Sequence, residues 1–383
     1  MWYADIMQIE RVITPQIITQ VHNSRKAIVI YGPRQVGKTT LCRTLTKQLG
    51  PKTLWINADE GRYMEVLSSQ DSKKLHELVH GYELLIIDEA QRIPNIGINL
   101  KILIDTLPEL KIIATGSSSF ELANIIAEPL TGRKWTYQLY PIAQLELTSL
   151  LNSFELKGQL EERLIWGSYP ELFQLTGWKE KRIYMAELTS DYLYKDILAL
   201  EGLRYPDKLK KLLKLLAFQI GNEVSLHEVG TQLNMAKETV ARYLDLLEKT
   251  FILFRLTGFS RNLRKEVAKM HKYYFCDVGI RNHLIDNFKP LSERNDLGQL
   301  WENFLIMERV KKNHYNRRFI TPYFWRTYTG AEIDYVEEGE NQLVGFELTW
   351  NSKKKRSPHT WQEEYGGTWE LIHRDNWLDF AVV

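Results

Sequence analysis

Residues 26 to 49, "KAIVIYGPRQVGKTTLCRTLTKQL", constrain this chain more than any other stretch of it. The apolar run Ala27 to Tyr31 predicts a strand, and Leu41, Leu45 and Leu49 recur at helical spacing. Between them lie Gly32, Pro33, Arg34, Gln35, Val36, Gly37, Lys38, Thr39 and Thr40, a full G-x-x-x-x-G-K-[ST] set in strand, tight loop and helix. The glycines let successive N–H groups turn toward one point at a helix N-terminus, a cradle for phosphate oxygens. Lys38 is placed to reach β- and γ-phosphates, and the Thr39 hydroxyl to hold Mg²⁺. A glycine turn before an ordinary helix is the competing reading, and the strand before and helix after speak against it.

Two further strands end in residues suited to the same chemistry. "YELLIIDEAQRIP" predicts a buried strand, Leu84 to Ile87, ending at Asp88 and Glu89. Asp88 can join the Mg²⁺ shell and Glu89 can polarise a water for attack on the γ-phosphate. "LKIIATGSSSFEL" ends at Thr115, Gly116, Ser117 and Ser118, hydroxyls at the ligand-facing edge of a doubly wound sheet. Thr115 or Ser117 would sense the γ-phosphate or orient the water; capping of a following helix is the alternative. Arg133 precedes another strand and is a candidate for neutralising charge on a γ-phosphate in transit, in cis or from a neighbouring subunit. A plain surface arginine is the rival reading.

The P-loop, "LLIIDEAQRIP", "IIATGSSSFEL", "LTGR" and the later "GSYPEL" resemble a widespread group of prokaryotic AAA+-type ATPases. Many members carry a C-terminal region that resembles a PD-(D/E)xK nuclease fold. The resemblance runs over nearly the whole chain and is most specific in the first 140 residues. It implies a five-stranded parallel core, ATP with Mg²⁺ as ligand, and a Gly-x-x-Pro-like turn at Gly167 to Pro170 that contacts the nucleotide base. The expected fold class is therefore multidomain α/β: a P-loop core over 1–145, a helical lid over 146–205, a winged helix over 206–287, and a restriction-endonuclease-like domain over 288–383.

The winged helix is read from "VSLHEVGTQLNMAKETVARYLDLLEKTFILFRLTGF". Ser225 caps a short helix, Asn234 and Met235 turn the chain, and Val240, Leu244 and Leu247 share one face of a second helix. In a DNA reader that helix enters the major groove, with Lys237, Glu238, Thr239, Arg242 and Tyr243 toward the bases. The basic loop with Arg261, Arg264, Lys265, Lys269 and Lys272 would follow the phosphate backbone. A protein-contact role is the open alternative.

The C-terminal quarter predicts a helix with Trp301, Phe304, Leu305 and Met307 for a core, then strands "YFWRT", "AEIDYVEE", "LVGFELTW" and "TWELIH". Glu302, Asp334 and Glu347 are candidate ligands of a second Mg²⁺ site, as in metal-dependent nucleases. Thr349 stands where such a site places its lysine, so a folded module without cleavage is expected; Lys353, Lys354 and Lys355 are the possible substitutes.

At 383 residues the chain is long enough for roughly two to four units. With 44% hydrophobic and 26% charged residues and a net charge of +2, its composition is globular, and any basic surface must be local. Two distant cysteines, Cys42 and Cys276, exclude a disulfide framework or cysteine-rich zinc site and fit a reducing cytoplasm. Neither a signal peptide nor a membrane span is expected, and a homo-oligomer is compatible with the P-loop reading.

Overall fold

The structure, a computed structural model, describes residues 9–117, 129–190, 206–260, 271–327, 331–340, 342–352 and 359–383. They cluster into two compact units, Glu10–Pro141 with Lys249–Phe251, and Ile142–Glu248 with Ile252–Val383. None of their helices is long and apolar enough to cross a membrane.

The first unit alternates strands and helices: α1 Ile13–Asn23, β1 Ala27–Tyr31, α2 Lys38–Leu49, β2 Thr53–Asn57, α3 Gly61–Leu67, α4 Ser72–Val79, β3 Leu84–Asp88, α5 Ile96–Thr106, β4 Lys111–Gly116 and β5 Lys134–Gln138. The strands form one sheet of order β2-β3-β4-β1-β5, every neighbouring pair parallel. A parallel sheet is covered on both faces, so its inner strands read as continuous apolar runs. β1 and β3 meet that condition at every residue. Val29, Ile56, Leu85, Ile87, Leu100, Leu103 and Ile112 are among the side chains that close the core on one face. Because β4 lies between β1 and β3, its C-terminal end falls between the P-loop and Asp88.

The second unit opens with helices Ser153–Gly158, Leu160–Trp166, Trp178–Thr189 and Pro206–Phe218. Strand β6, Glu223–Val224, then precedes helices Leu226–Leu233 and Lys237–Lys249, followed by β7 Leu253–Gly258 and β8 His271–Phe275. Ser225 caps the first of that helix pair by accepting from Glu228 N at 3.3 Å, and Asn234 takes the left-handed conformation (φ +51°) at its end. Helices Val278–Leu284 and Leu297–Tyr315 lead to β9 Thr321–Arg326, β10 Glu332–Glu338 and β11 Leu343–Leu348. Helix His359–Tyr365, β12 Thr368–Ile372 and helix Trp377–Ala381 complete the unit. Trp301, Phe304, Leu305 and Met307 are all buried.

Two differences from the expected organisation have physical causes. The four expected divisions become two units, because the strands of the helix-turn-helix segment and those of the C-terminal segment share one seven-stranded sheet, β12-β11-β10-β9-β7-β8-β6. The join is parallel pairing of β7 with β9, Thr257 opposite Tyr323 and Gly258 opposite Phe324. Leaving those edges unpaired would expose or orphan backbone polar groups. The turn at Gly167 to Pro170, expected against a nucleotide base, is buried inside the second unit. A Cβ on Gly167 (φ +83°) would lie 2.0 Å from Asp277 Oδ1, and Ser168 N donates to Asp277 Oδ2 at 2.8 Å. Asp277 also caps helix Val278–Leu284 through Gly279 N, so the turn is an internal joint.

Candidate active site

The P-loop leaves β1 through Gly32, where the backbone passes so close to β5's continuation that a Cβ would meet Leu139 O at 2.2 Å. Gly37, at φ +94°, then starts α2 in a conformation suited to glycine. Lys38 is buried and its Nζ donates to Gly32 O and Pro33 O, both at 2.9 Å, which holds the ammonium within the loop. Arg34 and Thr39 are partly buried, Gln35 and Thr40 exposed and Val36 fully buried.

Around Asp88 the hydroxyls converge. Thr39 Oγ1 donates to Asp88 Oδ2 at 2.7 Å, and Thr115 Oγ1 donates to Asp88 Oδ1. Thr115 Oγ1 in turn accepts from Glu89 N at 3.2 Å. A hydroxyl and a carboxylate brought together at the foot of a P-loop are hard oxygen donors of the type Mg²⁺ takes. Glu89 sits at φ +56°, and its Oε2 accepts from Gln91 Nε2 at 2.6 Å; the same nitrogen lies 3.1 Å from Ser117 Oγ. Sequence reasoning left the role of Thr115 and Ser117 open. In the structure Thr115 bonds Asp88, and Ser117 bonds the partner of Glu89. Ser118 lies outside the described residues.

Two site residues escaped the sequence reading. Gln91 was visible beside Glu89, but a strand continuing past Asp88 would have carried it away; the left-handed turn at Glu89 returns it. Arg11 had no sequence signal at all. Its guanidinium is buried and donates to Val36 O at 2.7 Å and Tyr140 O at 2.6 Å, bracing the P-loop from a point 25 residues away.

Arg133 takes a different place from the one its cis reading requires. Its carbonyl accepts from Ala27 N, and Lys134 pairs with Ala27, so it stands at the start of the strands. The P-loop follows their other end, roughly 16 Å away along a five-residue strand. Arg133 Nε bonds Asp105 Oδ1 at 2.7 Å, and that carboxylate raises the guanidinium's pKa. Arg133 therefore lies at the opposite end of β5 from the P-loop of its own chain.

In the second unit, Glu302, Asp334 and Glu347 line one cavity of about 490 Å³, together with Glu332, Lys272 and Thr349. Tyr274 Oη donates to Glu302 Oε1 at 2.5 Å, and Asp334 Oδ2 accepts from Leu348 N at 2.8 Å. Burial pushes the Asp334 carboxyl well above its ordinary range, and Glu302 and Glu347 push it further. Burial raises Glu302 too, against the opposing pull of Lys272 and Tyr274. The expected three-acid metal set is not assembled as a ligand group: among the described residues no three His, Cys, Asp or Glu side chains are placed to hold a metal ion.

Lys272 requires a second correction. Expected on a basic loop along a phosphate backbone, it lies in β8, 2% exposed, with Nζ 2.6 Å from Glu332 Oε1 and 3.8 Å from Glu302 Oε1. Strand side chains alternate, so Lys272 and Tyr274 point to one face and both reach Glu302. Arg261, Arg264, Lys265 and Lys269 lie outside the described residues, as do Lys353, Lys354 and Lys355. On helix Lys237–Lys249, Lys237, Glu238 and Arg242 are exposed, Thr239 is partly buried, and Tyr243 is fully buried, which removes Tyr243 from any base-reading set.

Residues 24–148 match the family model described as AAA domain. Two models of domains of unknown function, DUF8612 and DUF4143, match 157–291 and 297–366. An uncharacterised protein of Mycobacterium tuberculosis is 27% identical over 328 residues, covering 84% of this chain and 69% of its own. One of Methanocaldococcus jannaschii is 25% identical over 338 residues, covering 77% and 70%. Among solved structures, the Walker-type ATPase of Pyrococcus abyssi aligns with TM-score 0.48 and 15% identity over 71% of this chain and 94% of that one. Residues 24–148, nearly all in the first unit, are thus similar to an AAA domain and carry the P-loop motif on a five-stranded parallel sheet.

Proposed function

We propose that this protein is an ATP-hydrolysing switch whose chemistry sits in its first unit and whose client is DNA. The observation that carries the hydrolytic part is the chain of contacts Thr39–Asp88–Thr115–Glu89 at the mouth of the P-loop. The loop from Gly32 to Thr40 binds the phosphates, Lys38 draws toward the β- and γ-phosphates, and Thr39 with Asp88 would hold Mg²⁺. Mg²⁺ supplies neutralisation of the charge that develops on the transferred phosphoryl group. Glu89 accepts the proton of the attacking water, and Arg133 would serve a neighbouring protomer's nucleotide in a homo-oligomer. Lys38→Ala should abolish ATP binding, and Glu89→Gln should bind ATP without cleaving it; turnover in Glu89→Gln equal to wild type would remove the base assignment.

The DNA part rests on the helix-turn-helix segment, with Lys237 and Arg242 exposed on its second helix. Binding should weaken steeply with salt, and its absence at low salt would move the reading to a nucleotide-gated protein-docking module. A second reading, an ATP-dependent nuclease, gains from one observation: Lys272 places beside Glu302 the amine that Thr349 lacks. Mg²⁺-dependent cleavage of plasmid DNA by the wild type, lost in Asp334→Ala, would establish it.

A further inference from the structure

We propose that Gln91 is a positioning residue of the hydrolytic site, one amide that ties the base Glu89 to the hydroxyl of Ser117. The proposal rests on the hydrolytic reading above. Both donors of the amide are used: Nε2 stands 2.6 Å from Glu89 Oε2 and 3.1 Å from Ser117 Oγ. Its acceptor, Oε1, is buried and has no hydrogen-bond partner among the described residues. An amide can donate twice and accept at two lone pairs, and a buried polar atom left unpaired is destabilising. Packing alone would give no reason to keep a polar group in that state at this point of the site.

The backbone is built to put it there. Glu89 adopts φ +56°, a left-handed conformation that non-glycine residues adopt uncommonly, and Ala90–Arg92 follows as a single 3₁₀ turn. Arg92 N closes that turn on Glu89 O at 3.0 Å. Residues in such conformations are strained and cluster at functional sites. Without the turn, residue 91 would continue along the strand direction and lose both partners.

The two partners report on different things. Ser117 directly follows β4, at the C-terminal end of the strands where the P-loop also lies and a γ-phosphate would be felt. Glu89 is the base. With one nitrogen bonded to both, any ligand that engages Ser117 also changes what holds Glu89. The orientation of the base thereby depends on whether a γ-phosphate is present, and a nucleoside diphosphate leaves it unaltered. Gln91 would then contribute to turnover and little to nucleotide affinity.

The test uses the full chain and measures ATP turnover and ATP affinity for Gln91→Glu, Gln91→Ala, Ser117→Ala and the Gln91→Ala/Ser117→Ala double variant. Gln91→Glu keeps the size of the side chain and replaces the donor with an oxygen facing Glu89. Expected is a fall in kcat of about tenfold or more in both Gln91 variants, with ATP affinity within about twofold of wild type. The double variant should be no worse than the poorer single one, since both break the same link. The proposal is overturned by unchanged kcat, by a kcat loss matched by an equal loss of ATP affinity or thermal stability, or by strictly additive effects. If Glu89→Gln hydrolyses ATP like wild type, the hydrolytic reading itself fails, which is a separate outcome.

Discussion

Lys272 is ion-paired to Glu332, Nζ to Oε1 at 2.6 Å, from a strand that the sequence joined to a different module. Burial alone would lower the lysine's pKa, and Glu302 and Glu332 overcome this and raise it. Removing one partner of a buried ion pair leaves an uncompensated charge and is strongly destabilising. Because Glu332 is half-buried and solvent screens the charge left behind, Lys272→Met should lower the unfolding free energy at neutral pH by about 1–2 kcal/mol in chemical denaturation. An unchanged midpoint would mean that the cavity acids are neutral or paired otherwise.

The pH dependence of the second unit follows from Asp334, whose carboxyl is held above its ordinary value by burial and by Glu302 and Glu347. Between its ordinary value and the raised one, the folded state keeps a proton that the unfolded chain has lost, so stability falls as pH rises through that window. Below the ordinary value both states are protonated and the effect vanishes. Asp334→Asn removes the charge while keeping an oxygen for Leu348 N. It should raise the thermal midpoint at pH 7–8 by roughly 2–4 °C and flatten its slope with pH. A lowered midpoint at pH 8 would contradict this.

Gly32 is fixed by closeness to Leu139, whose N–H is itself tied to Tyr31 O at 2.7 Å. Neither backbone segment can retreat without breaking sheet pairing. Gly32→Ala should weaken ATP binding by at least about tenfold and destabilise the first unit by about 1–3 kcal/mol, as overpacking does. Gly61→Ala, with nothing near its Cβ position, is the control and should change neither quantity appreciably.

Both cysteines should be silent toward thiol reagents in the native state. Burial, reinforced by Asp88, pushes the Cys42 thiol far up, and burial pushes Cys276 up to about 12. The thiolate is the reactive form, so labelling at pH 8 should follow unfolding and be complete only in denaturant. Rapid labelling of the folded protein would show that one of the two is accessible.

What was legible in the sequence was local. β1, the P-loop, α2 and the Asp88–Glu89 strand end could be read because strand, turn and helix lie within one contiguous stretch and the chemistry needs fixed spacing. Trp301 and Phe304 could be assigned to a core from helical period alone. What was not legible depended on partners far along the chain. Arg11 meets Val36 and Tyr140 only once β1 and β5 are neighbours. Which end of the strands Arg133 occupies follows only from the parallel register of β1 with β5. Lys272 read as one more cation in a basic run, because the acids that surround it come from β10 and from the helix carrying Glu302. Tyr243 shares its helix with Lys237 and Arg242, and only packing told its face from theirs.

The parallel pairing of β7 with β9 carries a mechanical consequence. Hydrogen-bonded strands transmit displacement with little slack, so the helix bearing Lys237 and Arg242 and the cavity bearing Lys272 ride on one stiff plate. Any load carried by β7 would pass to β9 across that pairing, and so to the strands that line the cavity.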